Sequence, residues 1–211
     1  MTRSKAVVLL VAGALLAPVA VRAQDEGLKQ VDRLIKVSGE TVQSIAEAKL
    51  QLERTVTGYN AILAEQAKDR RGAYKDLIKD KDNTQTKVEA VRQRVAGMEQ
   101  EANTLFAAWA KNVEGITEEG LRKKSQARLD DTKKRFGDIL SAGKQAREAY
   151  DPFMKQLADQ ITYMGHDLNP EAVASLKPDA AKLNDQATKV FGRVDETMKV
   201  AREYINSLRP E

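Results

Sequence analysis

Between Leu28 and Leu208 the apolar side chains recur three and four residues apart, and no other feature limits the fold as strongly. The first series runs Leu28, Val31, Ile35, Ser38, Val42, Ile45, Lys49, Leu52, Val56, Tyr59, Leu63, and only Ser38 and Lys49 break its apolar rule. A second runs Tyr74, Leu77, Lys81, Thr84, Val88, Val91, Val95, Met98, Ala102, Leu105, Trp109 and continues to Val113 and Ile116. A third runs Leu129, Thr132, Phe136, Ile139, Gly143, Ala146, Tyr150, Phe153, Leu157, Gln160, Met164. The last runs Ala180, Leu183, Ala187, Val190, Val194, Met198, Ala201, Ile205, Leu208. A repeat near 3.5 held over many turns makes each segment a long helix with one narrow apolar seam, which must be buried against partner helices. The expectation is an all-α fold: an elongated antiparallel bundle of four long coiled-coil-like helices.

The interruptions divide the chain in the same way. Ala64 to Gly72 has no seam and reads as the first turn. Gly115 supplies a stop, and Thr117 a new start whose hydroxyl accepts from free amides while Glu118 and Glu119 suit the positive helix end. In His166-Asp167-Leu168-Asn169-Pro170, Asn169 reads as a cap and Pro170 as the first helical residue. Helices are thus expected at about 27–64, 73–115, 118–166, 170–176 and 179–208. Pro152 cannot donate to the Glu148 carbonyl, yet the seam keeps phase through Tyr150, Phe153 and Leu157, which predicts a kink within one long third helix.

The chain's beginning reads as an address. Arg3 and Lys5 precede the apolar stretch Ala6–Leu16, and Val21-Arg22-Ala23 before Gln24 is a small-residue cleavage pattern. Ala6–Val21 falls short of the about 20 residues that a membrane-spanning helix needs. Residues 1–23 are therefore expected to be a cleaved signal peptide, and 24–211 a single helical domain in the periplasm of a Gram-negative cell or outside it. Three of the 35 basic residues, Arg3, Lys5 and Arg22, lie in that leader and no acid does, so the remainder carries 32 basic groups against 31 acidic. Near-neutrality removes the general electrostatic argument for a nucleic-acid partner. With no Cys, the domain has no disulfide, thiolate metal site or thiol nucleophile, and a single His leaves little for a transition metal or a catalytic triad.

Ala102, Leu105-Phe106, Trp109, Leu121-Arg122, Ser125, Arg128-Leu129, Thr132, Arg135-Phe136, Asp151-Pro152, Asp159-Gln160 and the run HDLNPEAVASL from His166 form a further pattern. In their order and spacing, the stretch from Ala102 to Lys177 resembles the secreted bacterial domain-of-unknown-function 2959 family. The resemblance implies a signal-bearing, all-helical envelope or secreted protein, and it implies no activity, since that family has none assigned. The basic connection Lys68–Arg71 departs from the family's more acidic one.

Several side-chain groups invite chemistry, and each has a plainer reading. His166, with Asp167 and Asn169 nearby, suggests a metal or proton switch, against a ring that favours the negative helix end. Asp80-Lys81-Asp82-Asn83 suggests a calcium loop, but Gln85 stands where Gly is needed and Val91 where a bidentate Glu is needed. Arg122, Lys123, Lys124, Arg128, Lys133, Lys134 and Arg135 are a candidate anion-binding stripe for lipid or polysaccharide, against a solvated face interleaved with acids. Phe106, Trp109, Phe136, Tyr150, Phe153 and His166 are a candidate ligand pocket, against core packing of seams that must be buried anyway. No Gly-rich phosphate loop, activated nucleophile or paired-carboxylate context stands out, and no cofactor is called for. The leading expectation is a non-enzymatic scaffold or partner-binding module that engages an envelope protein or itself. The alternatives are a carrier binding a small ligand between helices, or a peripheral binder of anionic lipid or polysaccharide.

Overall fold

The computed structural model describes residues 17–64 and 68–209. Among the described residues five helices follow one another: α1 (Ala17–Leu63), α2 (Arg70–Glu114), α3 (Glu119–His166), the one-and-a-half-turn α4 (Pro170–Ser175) and α5 (Lys177–Leu208). The seams behave as their period demands. α1 packs on α2 and α5, and α3 packs on α5 and α2, closing a four-membered antiparallel ring with α4 across one end. At about 1.5 Å per residue, the 48 residues of α3 make the bundle about 70 Å long.

Each boundary has a local cause. Asp69 opens α2 by accepting from the Gly72 amide at 2.8 Å, and a side chain at Gly72 would crowd that carboxylate, so the glycine leaves the cap undisturbed. The third helix departs from the expected start: Glu118, not Thr117, is its cap, accepting from the amides of Gly120 and Leu121. A carboxylate two bonds longer than a hydroxyl reaches two free amides and adds a negative charge at the positive helix end. Asn169 caps α4 through the Ala172 amide at 2.8 Å, with Pro170 at its first position as expected. α3 runs through Pro152 without interruption; the proline lies on the exposed face, so the unpaired Glu148 carbonyl is open to water while Phe153 and Met154 stay buried.

Two separate cores hold the ring together. Near the α1/α2 turn, Tyr59, Ile62, Leu77, Phe153, Leu157, Met164, Val173 and Leu183 pack under α4. At the opposite end, Leu34, Met98, Phe106, Leu129, Phe136 and Tyr204 form the second core, with Phe106 edge-on to Phe136 at 5.8 Å and 75°. Polar pairs fix the register: the Thr55 and Thr84 hydroxyls meet at 2.9 Å, Gln51 Nε2 donates to Asp80 Oδ1 at 3.0 Å, and Asn60 and Asn184 exchange amide hydrogen bonds at 2.9 and 3.0 Å. Buried polar groups with both partners present cost little where they are and much in any slipped register.

Candidate functional site

Between the two cores the bundle is not filled. Across its waist, α1 contributes Ser38, Thr41, Val42, Ile45, Ala48 and Lys49, α3 contributes Ile139, Gly143 and Ala146, and α5 contributes Val194, Thr197 and Ala201. Ser38, Ala48, Gly143, Ala146 and Ala201 among them are small, and the larger members do not fill the space between the three helices. The result is a cavity of about 330 Å³, within the range of small-molecule sites. α2 completes the wall with Val88, Val91 and Val95, all half-buried, where a sealed seam would hide them.

The wall is almost wholly aliphatic, and its charged members are Lys49, Arg92, Lys144 and Arg147, with no carboxylate among them. Lys49 is held on the α1/α5 side, its Nζ 2.8 Å from Asp195 and 5.9 Å from the centre of the Phe191 ring, and the Asp195 hydrogen bond raises its pKa above the usual lysine value. Arg92 on α2 and Arg147 on α3 face each other across the remaining seam and share Asp151, at 3.3 and 3.4 Å. Tyr150 stands beside them in the wall, its phenol pushed up to about 12 chiefly by desolvation, so it is a neutral hydroxyl at any physiological pH. Ser38 is fully buried in this wall, and its hydroxyl has no hydrogen-bond partner.

The residues singled out from the sequence lie elsewhere. The six aromatic and imidazole candidates do not form one pocket. Phe106, Trp109 and Phe136 belong to the core at one end, where Trp109 Nε1 donates to Ser125 at 3.1 Å. Tyr150 and Phe153 belong to the core at the other end, Tyr150 alone reaching the cavity, and His166 is exposed in the last turn of α3. Their spacing marked them as seam residues; large side chains fill a seam rather than leave room in it. Asp167 receives the Asn169 amide at 2.9 Å, which engages it in the turn beside His166.

The basic residues of α3 are all exposed, but they are not one-sided. At 100° per residue, Arg122 and Lys133, Lys123 and Lys134, and Lys124, Arg128 and Arg135 spread over about 240° of the helix surface. Lys123 pairs with Glu119 at 2.6 Å and Arg135 with Asp131 at 2.8 Å, so the group forms no continuous stripe. Asp80-Lys81-Asp82-Asn83 is a regular stretch of α2, with Asp80 occupied by Gln51. Among the described residues no three His, Asp or Glu side chains gather to hold a metal ion, and no helix is long and apolar enough to cross a membrane. Residues 1–16 of the expected signal peptide 1–23 lie outside the described residues, and 17–23 form the start of α1, ahead of the expected helix start near 27.

The cavity had a sequence signal: Ser38 and Lys49 as breaks in the first seam, and Gly143 and Ala146 adjoining in the third. What one seam does not tell is that such positions on different helices meet at one level. No curated protein and no solved structure matches the chain. A family model does match, described as a protein of unknown function, and it covers residues 22–208, far more than the Ala102–Lys177 stretch that carried the resemblance. The chain therefore belongs to the DUF2959 family.

Proposed function

We propose that the protein is a non-catalytic binding protein of the cell envelope that takes an apolar small ligand in its waist cavity. The observation that carries this reading is the cavity itself: about 330 Å³ of aliphatic-lined space between two well-filled cores. Filling such space by tighter packing needs only larger side chains at Gly143 or Ala146, and a Cβ built on Gly143 comes no nearer than 4.0 Å to Thr197. The scaffold reading has less to stand on, because the seams that would recruit further helices are spent on one another around the ring. An envelope setting is supported by the charged start, apolar stretch and Ala23 cleavage pattern of the leader, and the family match begins at residue 22, at the end of that leader.

The direct test is ligand-linked stability. A neutral alkanol at about 100 times its dissociation constant adds about 2.7 kcal/mol to the folded state, which for a domain of this size raises Tm by about 5–10 °C. Ala146→Phe, which fills the cavity, is expected to abolish the rise. If no member of a series of neutral apolar molecules raises Tm more in the parent than in the filled variant, the cavity is no binding site. Export is tested by N-terminal sequencing of the protein recovered from the envelope fraction, where a chain still beginning at Met1 would contradict cleavage after Ala23.

A further inference from the structure

We infer that the ligand is a single-chain amphiphile with an anionic head, its tail in the waist cavity and its carboxylate or phosphate at the α2/α3 mouth on Arg92 and Arg147. The inference rests on the reading of the cavity as a binding site and adds the chemistry of what enters it. Two observations converge on this occupant.

The first is shape. The wall extends over Ser38–Leu52 of α1, Val88–Met98 of α2, Ile139–Tyr150 of α3 and Val190–Ala201 of α5, which at 1.5 Å per residue is a slot about 15–20 Å long. A slot of that length lined almost wholly by aliphatic side chains suits an extended hydrocarbon tail.

The second is charge. Every ionised side chain in the wall is a cation, and the three on the α2/α3 side, Arg92, Lys144 and Arg147, hold their carboxylates loosely. Arg92 reaches Asp151 at 3.3 Å and Glu89 at 3.6 Å, Arg147 reaches Asp151 at 3.4 Å, and Lys144 reaches Glu148 at 3.8 Å. Pairs this exposed and this long contribute almost nothing, whereas a carboxylate or phosphate met by a guanidinium fork forms short charge-assisted bonds. An incoming head group therefore displaces Asp151 at little cost.

The experiment compares tails of one length with different heads on the full chain, by calorimetry below micelle formation. The probes are dodecanoate, dodecyl phosphate, dodecanol and dodecyltrimethylammonium. Dodecanoate or dodecyl phosphate is expected to bind at least tenfold more tightly than dodecanol, with the cationic amphiphile weakest, and the stronger of the two acids tells carboxylate from phosphate recognition. Arg92→Gln with Arg147→Gln is expected to weaken the acids about 10–100-fold and leave dodecanol unchanged. Ala146→Phe, or Gly143→Val should the first fail to fold by circular dichroism, is expected to abolish binding of all four. Equal affinity for acids and dodecanol, or an unchanged acid affinity in the double variant, overturns the head-group assignment while the cavity remains a binding site. Binding of none of the four overturns both, and if the chain then dimerises while Ala146→Phe is monomeric, the slot belongs to a second copy.

Discussion

The two ends of the bundle and its waist obey the same three-and-four spacing and reach opposite results. At the ends the seams carry Tyr59, Phe153, Phe136 and Tyr204, which leave almost no surface exposed. At the waist the same spacing delivers Ser38, Gly143, Ala146 and Ala201, and space is left between the helices. Periodicity decides that a segment is a helix and which face turns inward; the volume carried on that face decides whether the inside is a core or a cavity. If that division is right, stability resides in the ends and binding in the middle.

The largest effect expected from this division is at the ends. Phe153→Ala removes a fully buried ring and is expected to cost about 3–5 kcal/mol, read as a fall in the urea midpoint at constant slope. Val91→Ala, on the half-buried cavity wall, is expected to cost less than about 1 kcal/mol, because the methyl groups it removes already face open space. Comparable losses at the two positions would mean that the waist is packed in solution.

Alkaline titration separates the regions by a different route. Burial raises the phenol pKa of Tyr59 to about 12 and raises that of Tyr204 as well, one residue in each core. Between pH 10 and 12 the unfolded chain gives up phenolic protons that the folded one retains, so it binds fewer protons and stability falls as pH rises. The stabilisation is complete below about pH 10 and is lost progressively toward pH 12. Urea midpoints across this range, followed beside phenolate absorbance, check it; ionisation of all buried tyrosines near pH 10 without unfolding would show the cores to be wet.

Much of this was legible in the residues. The long helices, their antiparallel order and the Asn169-Pro170 start followed from spacing and cap chemistry, because those are local and repeat over many turns. The α3 cap lies one residue beyond Thr117, since Thr117 and Glu118 are both competent and only the chain's path shows which carboxylate or hydroxyl reaches the amides of Gly120 and Leu121. The site was the least legible part. A binding cavity is made by residues that are absent in size, and Gly143 and Ala146 acquire meaning only opposite Ser38 and Thr197, more than fifty positions away in sequence. Bulky aromatics drew attention instead, and the fold uses those as filling.

Two hydroxyls sharpen the comparison at a finer scale. Thr84 at the α1/α2 seam is fully buried and bonded to Thr55, which itself bonds the Gln51 carbonyl at 3.0 Å. Thr84→Val keeps the shape, removes one buried hydrogen bond and leaves Thr55 with its other partner, so it is expected to cost about 1 kcal/mol in urea unfolding.

Ser38→Ala is expected to act in the opposite direction, by the smallest amount. Its hydroxyl is as buried as that of Thr84 but has no partner, so removing it relieves a desolvation cost, and alanine is the better helix former by a few tenths of a kcal/mol. Against this stands the enlarged void: one oxygen of about 10–15 Å³ at about 24 cal/mol per Å³ costs about 0.3 kcal/mol. The favourable contributions outweigh it, and the ligand-free variant should be more stable by up to about 1 kcal/mol. A clear loss of stability in the same urea measurement would show that the Ser38 hydroxyl is bonded in solution.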